Sequence, residues 1–455
     1  MIEVKTFDEK AKLYCLENKN GMQVTLTDFG ARVVEVLLPV EENGGLRNVS
    51  LAAKSDDDYR KTDLYPGSTI VPVAGRISGA QAEIEGTSYH FTENEPGRTL
   101  HGGVDTANEQ YWDVELDHER NQVTFGMVLK DGFNGFPGDV RVKAIYCLTD
   151  KNELTVDYQA VSDKDTIFNP TNHIYFNLTG DFQRSVAEHR IKIAANHYAP
   201  LGEDNLPTGV LEDVTGTPFD FRDFAPFAQG FDSQYPQNVL VKGYDHPWLL
   251  EEVDIPVEVL SPDGKIGLSV KTNQPAVVIY TYNFPVEALA CYHGVFSLEC
   301  QALPNACNVD GFGSILLEQG EEFLSKTTYR FTLPKKMGTL TVLQFGFSCV
   351  FYKIWYNKPV CFNRSRRKRK IMTNEQEFLK EFEAWVNTQV MVNEMAVEES
   401  RRVLEEDKDE RAADAYIRYE SKLDAYRFIQ GKFANYHAGK GFHDLPDELF
   451  GQRHY

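Results

Sequence analysis

Cysteine is scarce in this chain of 455 residues, which contains seven scattered cysteines and no closely spaced pair. An odd number without regular spacing argues against a disulfide framework, and the absence of a CxxC pair argues against a zinc site. Reduced thiols are typical of the cytoplasm. The first residues also lack a basic stretch followed by an apolar run, so we expect no secretion signal and a cytoplasmic location.

Positive charge is also in short supply, because 47 lysines and arginines stand against 68 aspartates and glutamates, for a net charge of -21. Non-specific binding to nucleic acid depends on basic surfaces that displace counterions, so the sequence predicts no nucleic-acid partner. No motif for a metal, a phosphate group or a catalytic nucleophile stands out. We therefore expect neither a metal nor a cofactor in a self-repelling, soluble protein.

Residues 1–336 lack a long helical stripe and show no alternation of strands with helices. Short runs of alternating apolar and polar residues recur instead, for example at Gln23–Thr27, Val123–Leu129 and Leu154–Tyr158. Turn signals such as Asp131-Gly132 separate such runs. Because many half-buried strands must cover each other's apolar faces, these residues are predicted to form a large antiparallel β-sandwich in a mainly β protein.

Residues 337–371 contain no acidic residue but eight lysines or arginines. Their apolar half is interrupted at Lys353, so it falls short of the roughly 20 residues that cross a bilayer, and we expect no membrane partner. A basic nucleic-acid patch, an ordinary linker and a translated spacer between two genes are the other interpretations. The spacer hypothesis rests on residues 366–368 (Arg-Arg-Lys), which AGG-AGG-AAA can encode, a ribosome-binding sequence a few codons before Met372.

Residues 372–455 change character again and carry apolar residues at helical spacing. Thr373-Asn374 before Glu377 resembles a helix start with a capping box. We predict a separate domain of unknown function, a helical hairpin with helices over about 374–406 and 409–437. The apolar positions are Phe378, Phe382 and Trp385 in the first run, and Tyr416, Tyr419, Leu423 and Tyr426 in the second.

Two strand-like segments each contain one proton-transfer group. His173 lies in Thr171–Leu178, and Glu299 lies in Ser297–Asn305. Histidine exchanges a proton near neutrality because its unperturbed pKa is about 6.5, and glutamate is a competent base when partly desolvated. One imidazole and one carboxylate facing each other across a pocket would form an acid–base pair. The histidine could instead be a satisfied core residue, and the glutamate could face solvent.

Short motifs that include these two groups follow one another in a specific order along residues 1–336. Each motif is weak alone, but together they resemble the aldose 1-epimerase (galactose mutarotase) family over about three quarters of the chain. The motifs are Leu100–Gly103, Asn172–Leu178, Pro207–Gly209, Gly216–Arg222, Gly243–His246 and Glu299–Gln301.

The resemblance implies a role for each matching residue. Glu299 would be the general base that takes the proton from the anomeric hydroxyl, and His173 the general acid that protonates the ring oxygen. Arg76, His101 and Asp245 would hold the substrate. The implied reaction opens the ring of a free aldohexose such as galactose or glucose, rotates the C1–C2 bond and closes the ring on the other face. The expected partner is a small-molecule sugar, and the chain could be a monomer or a homodimer.

The sequence departs from the family in places that leave its sugar preference open. Val71-Pro72 and Gly75 precede Arg76, where many members have a Gly-Arg pair and an asparagine, and Val278 stands where some have a glutamine. At the other end, residues 372–455 resemble a short, uncharacterised bacterial family, which implies no activity.

Other functions stay open at this level. A glycoside hydrolase needs two carboxylates at the scissile bond, and Asp245 with Glu299 is the one candidate pair. A non-catalytic sugar-binding module could keep the fold without the chemistry. A phosphosugar epimerase would need a cationic phosphate site, and residues 1–336 show no basic cluster. Arg76 could also form a structural ion pair, and His101 and Asp245 could be turn residues.

Overall fold

The computed structural model describes residues 2–40, 45–62, 64–285 and 289–333, then separate positions from 383 to 402 and the stretch 410–437. The chain divides into two compact units, Met1–Val342 and Leu343–Tyr455. Among the described residues the first unit is built mainly of strands and the second of helices, which confirms the predicted fold class. No helix in this part of the chain is long and apolar enough to cross a membrane.

All ladders between the strands of the described residues are antiparallel. In chain order the strands are β1 (Glu3–Thr6), β2 (Lys12–Glu17), β3 (Gln23–Thr27), β4 (Arg32–Leu38), β5 (Arg47–Asn48), β6 (Thr69–Ile70), β7 (Arg76–Ser78), β8 (Gln81–Ile84), β9 (Thr87–His90), β10 (Arg98–Leu100), β11 (Asp113–Asp117), β12 (Gln122–Leu129), β13 (Val140–Leu148), β14 (Glu153–Ser162), β15 (Thr166–Ile167), β16 (Thr171–Asn172), β17 (Tyr175–Phe176), β18 (Arg190–Ile193), β19 (His197–Tyr198), β20 (Glu212–Asp213), β21 (Ala225–Pro226), β22 (Asp245–Leu249), β23 (Val257–Leu260), β24 (Gly267–Thr272), β25 (Ala276–Tyr280), β26 (Phe296–Ser297), β27 (Glu299–Gln301), β28 (Leu316–Leu317) and β29 (Glu322–Thr332). The helices are α1 (Asp56–Arg60), α2 (Ala228–Phe231), α3 (Pro236–Val241) and, in the second unit, α4 (Glu410–His437).

The largest sheet has nine strands in the order β11-β12-β13-β14-β29-β24-β23-β18-β21. Its strands alternate as the sequence predicts; in β14 the side chains of Leu154, Val156 and Tyr158 are buried, and those between them are half-buried. Each such apolar side chain contributes roughly 1.5–3 kcal/mol when it is buried. Strand β29 lies between β14 and β24, so the last described strand of the first unit completes the middle of this sheet.

A five-stranded sheet in the order β20-β19-β22-β25-β27 carries the candidate site. Asp245 pairs with Tyr280, and Glu299 pairs with Val278. Because alternate residues of a strand share a face and paired residues lie on the same face, all four side chains are on one face of this sheet. The sheet therefore presents two carboxyl groups together.

A ladder of two residue pairs, between β17 and β26, joins the two motifs that carry the proton-transfer groups. Tyr175 pairs with Ser297, and Phe176 pairs with Phe296. His173 lies two residues before Tyr175, and Glu299 lies two residues after Ser297. The same antiparallel register, continued beyond the ladder, therefore places His173 opposite Glu299. Strand register thus brings these two distant positions together.

In the second unit, α4 covers Glu410–His437, where the sequence predicts a helix over about 409–437. The described positions from 383 to 402 are also helical. The predicted helix start near 374 and the segment 337–371 lie outside the described residues. A small apolar cluster of the second unit contains Val390, Val397 and Leu423.

Candidate active site

A pocket in the first unit brings together the polar residues that the sequence singled out. It encloses about 220 Å³. This is many times the roughly 10–15 Å³ of cavity volume that one water molecule needs, so the pocket has room for a small organic ligand. The five residues that the sequence proposed all line it: Arg76, His101, His173, Asp245 and Glu299.

His173 and Glu299 are in direct contact at this pocket. Nε2 of His173 lies 3.2 Å from Oε1 of Glu299, and both side chains are buried. The backbone of His173 is held by hydrogen bonds to the turn before β6, from its N–H to the carbonyl oxygen of Ser68 and from the N–H of Gly67 to its own carbonyl oxygen. The hydroxyl of Ser297 donates a 2.8 Å hydrogen bond to Oε1 of Glu299. Hydrogen bonds therefore fix the backbone of His173 and the carboxyl group of Glu299, and the two side chains also contact each other.

Burial makes the charged form of each of these two groups less favourable. It raises the pKa of Glu299 to about 7, against the opposing effects of the Ser297 hydrogen bond and the Arg76 charge. Burial likewise lowers the pKa of His173 to about 4. The contact of 3.2 Å acts in the other direction, because a carboxylate and an imidazolium at that distance stabilise each other. The contact therefore opposes the preference for the neutral pair that burial creates.

His101 lies beside His173, with ring centroids 5.5 Å apart and ring planes at 90°. The backbone N–H of Gly75 donates a hydrogen bond of 3.1 Å to Nδ1 of His101. Burial, and then the neighbouring His173 and Arg76, lower the pKa of His101 well below its usual value. His101 is therefore a neutral imidazole that carries its proton on Nε2 and can donate it in a hydrogen bond.

Arg76 and Asp245 form the other polar side of the pocket. Nη1 of Arg76 lies 3.7 Å from Oδ2 of Asp245. Burial raises the pKa of Asp245 to about 7; Arg76 opposes this effect, and the charge of Glu299 adds to it. The arginine therefore favours the ionised form of both carboxyl groups that face the pocket.

His101, His173 and Glu299 offer three ligand atoms within 4.8 Å of one another, which is close enough for a metal ion. The hydrogen bond from Gly75 argues against that use. It occupies Nδ1 of His101 and leaves the proton of the neutral ring on Nε2, which then donates rather than coordinates. The prediction that the site needs no metal stays a prediction.

Several pocket residues had not been singled out from the sequence. Tyr65 has a φ of +56° and places its ring 4.7 Å from that of His101. Tyr280 and Glu95 also line the pocket. Strand alternation could have indicated Tyr280, which shares a face with Val278, whereas Tyr65 and Glu95 lie in irregular segments without a periodic signal.

Two of the positions that depart from the family pattern, Gly75 and Val278, lie in the pocket wall. Val278 stands between Pro247 and Glu299 in the sheet, which makes that part of the wall apolar. Gly75 has a φ of +77°, and a Cβ there would lie 2.8 Å from Cβ of Pro304. The close approach of Pro304 explains why this position has no side chain.

A mainly β fold that pairs an imidazole with a carboxyl group inside a pocket, beside an arginine and a second carboxyl, is the arrangement expected of an enzyme that moves protons on a small polar substrate. The family model described as aldose 1-epimerase matches residues 12–330, and the chain belongs to this family. The predicted family and the predicted aldose 1-epimerase activity, an isomerisation of carbohydrate, are thereby confirmed.

Individual relatives agree over the same part of the chain. The aldose 1-epimerase of Escherichia coli K12 is 34% identical over 333 residues, which cover 70% of this chain and 95% of the relative. The galactose mutarotase of Homo sapiens is 32% identical over 322 residues, 69% of this chain and 92% of the relative. The crystal structure of galactose 1-epimerase from Lactobacillus acidophilus is 30% identical and has a TM-score of 0.67, covering 73% of this chain and 99% of that one.

A second family model, described as a domain of unknown function (DUF1912), matches residues 372–455. The predicted resemblance of this part to an uncharacterised family is thus confirmed. The first match ends at residue 330 and the second begins at Met372.

Proposed function

We propose that the first unit interconverts the α and β anomers of free aldohexoses in the cytoplasm, with Glu299 and His173 as the proton-transfer groups. Galactose and glucose are the first candidate substrates. The observation that carries the role assignment is the 3.2 Å contact between the imidazole and the carboxyl group in the pocket. The two oxygens that exchange protons in this reaction share C1, so an acid and a base must be close neighbours.

Ring opening proceeds by two coupled proton transfers. Glu299, as carboxylate, takes the proton from the hydroxyl on C1, and His173, as imidazolium, gives its proton to the ring oxygen. The C1–O5 electron pair leaves with the ring oxygen, and C1 becomes a carbonyl carbon. After rotation about C1–C2 the same transfers run backwards on the other face, which restores both groups. Positioned acid or base groups typically contribute about 10²–10⁴ in rate each.

The two protonation states of the pair then correspond to two stages of the reaction. Before opening the pair is charged, and in the open-chain stage both groups are neutral. Burial supports the neutral stage, as the raised pKa of Glu299 and the lowered pKa of His173 indicate. The close contact supports the charged stage. Burial and the close contact thus favour opposite stages, which suits a reaction that runs in both directions.

Around this pair, three groups suit sugar hydroxyls. Nε2 of His101 and Nη1 of Arg76 can donate hydrogen bonds, and the Asp245 carboxylate can accept them. Fixed donors and acceptors in a concave pocket are typical of small-molecule sites. We propose these three residues as substrate-holding groups.

Polarimetry of freshly dissolved α-galactose, with and without the protein, tests the function. We expect the rotation to reach equilibrium much faster with protein, and the same assay on several aldoses gives the sugar preference. An unchanged rate would favour a non-catalytic binding module. Release of reducing ends from oligosaccharides would favour the hydrolase, in which Asp245 and Glu299 would act on a glycosidic bond.

A further inference from the structure

The ribbon of β7 and β10 carries two arginines on the same face. Arg98 pairs with Ser78, and Leu100 pairs with Arg76, so the arginines are diagonal neighbours across the ribbon. Like charges at such positions repel each other. A group of opposite charge is needed to hold both guanidinium groups together at the edge of the pocket.

Glu95 is that group. Its Oε2 accepts hydrogen bonds from Nε of Arg76 at 2.8 Å and from Nε of Arg98 at 2.6 Å, and its Oε1 accepts one from Nη2 of Arg76 at 3.2 Å. Burial disfavours the carboxylate, but the hydrogen bonds and charges of the two arginines outweigh it and lower the pKa of Glu95. Two-pronged contacts between ions fix orientation as well as distance.

These contacts determine which edge of Arg76 is presented to the pocket. Nε and Nη2 are occupied by Glu95, and Nη1 is the nitrogen that lies 3.7 Å from Asp245. Without the carboxylate of Glu95, the guanidinium of Arg76 could rotate and form a bidentate contact with Asp245. That pairing would withdraw both groups from a sugar.

Arg98 extends the same connection to the wall of the pocket. Its Nη1 donates a hydrogen bond to the carbonyl oxygen of Asp204. The loop 201–207 around that residue supplies Leu201, Asn205 and Pro207 to the pocket lining. The loop is closed on itself by a bridge between Leu201 and Pro207, so an anchor at its centre holds it as a unit.

We propose that Glu95 and Arg98 are positioning residues for substrate binding. Glu95 presents Nη1 of Arg76 to the sugar, and Arg98 ties the loop 201–207 to the same carboxylate. This inference rests on the proposed function. It predicts that the two residues affect the affinity for the sugar and not the proton transfers.

The first test is a steady-state comparison of Glu95→Gln with the unaltered enzyme. We expect KM to rise about tenfold, as for the loss of one charge-assisted hydrogen bond, and kcat to change by less than about threefold, because Arg76 would bind the ground state and the transition state alike. Glu188→Gln is the matched control, since this carboxylate pairs with Arg184 on the exposed surface. An unchanged KM in Glu95→Gln, or a loss confined to kcat, overturns the proposal.

A double-mutant cycle tests whether Glu95 acts through Arg76. In an Arg76→Met background the guanidinium that Glu95 positions is gone, so Glu95→Gln should raise KM only by the roughly threefold expected from release of Arg98 and the loop 201–207. Equal effects of Glu95→Gln in both backgrounds overturn the proposal. If wild-type enzyme accelerates anomer exchange while these expectations fail, the proposed function stands and the positioning role falls.

Arg98 variants keep the proposal testable if Glu95→Gln fails to fold, which circular dichroism would detect. Arg98→Met should raise KM about threefold or more through the released loop, and Arg98→Lys, which keeps the charge with a single donor nitrogen, should restore part of the loss. A KM unchanged in Arg98→Met, or no difference between the two variants, contradicts the role of Arg98.

Discussion

The backbone N–H of Gly67 donates a hydrogen bond of 2.8 Å to the carbonyl oxygen of His173, so the turn that contains this glycine fixes the backbone of the candidate acid. Gly67 has a φ of +67°, and a Cβ at this position would lie 1.9 Å from the carbonyl oxygen of Val33. Backbone atoms cannot give way as a flexible side chain can. The location of the imidazole therefore depends on the absence of a side chain at residue 67.

Gly67→Ala should destabilise the protein by about 3 kcal/mol or more, because backbone must shift to remove the clash, and it should lower kcat because His173 moves with the turn. Urea unfolding and polarimetry measure the two effects. Gly86→Ala is the matched control, since Gly86 has a φ of +76° with open space around it; it should lose only about 1–2 kcal/mol. Equal losses in the two variants would contradict this account.

Glu299→Gln and His173→Asn should each reduce kcat by about 10²–10⁴, because each removes one proton-transfer group. Circular dichroism should show an intact fold in both. Combining them should cost little more than either alone, since the two groups act as a unit. Near-normal turnover in either single variant would show that the roles are wrongly assigned.

The dependence of kcat/KM on pH should be bell-shaped, with activity carried by the state in which the pair holds one proton. Acid adds a second proton to the pair of His173 and Glu299. Alkali removes the last proton of the pair, at or above the pKa of about 7 for Glu299. The hydrogen bond from Ser297 lowers that pKa, so Ser297→Ala should raise it. The alkaline limb should then move to higher pH. A limb that stays in place or moves to lower pH would argue against Glu299 as the group observed.

A shortened chain that ends at residue 336 should fold and keep the kcat and KM of the full chain. The matched family region ends at residue 330, and the described residues that line the pocket lie between Leu64 and Pro304. Thermal unfolding and polarimetry would compare it with the full-length protein. Aggregation, or a loss of activity, would show that the C-terminal part supports the first unit.

We propose that residues 337–371 are translated spacer between two genes, and that Met372 was the first residue of a separate small protein. The second family match begins at Met372, which supports this origin. The gene should read AGG-AGG-AAA, or a close variant, at codons 366–368. An open frame with unrelated codons there in many isolates would favour an ordinary linker between domains.

The acid and base could be proposed from sequence because each lies in a recognisable strand motif, but their contact arises from the pairing of Tyr175 with Ser297, which no local pattern encodes. Helix α4 could be predicted because its apolar positions repeat with a helical period. Glu95 could not be found in this way. It lies outside any strand, and its three contacts exist only once β7 and β10 have brought two arginines together.

The position of β29 between β14 and β24 has a consequence for synthesis on the ribosome. A nascent chain that has released only its first 300 residues already holds every residue proposed for the chemistry, yet it leaves two unpaired sheet edges where β29 belongs. Those edges invite association with other chains until residues 322–332 emerge. Premature stop codons shortly before this strand should therefore yield insoluble products rather than a smaller active enzyme.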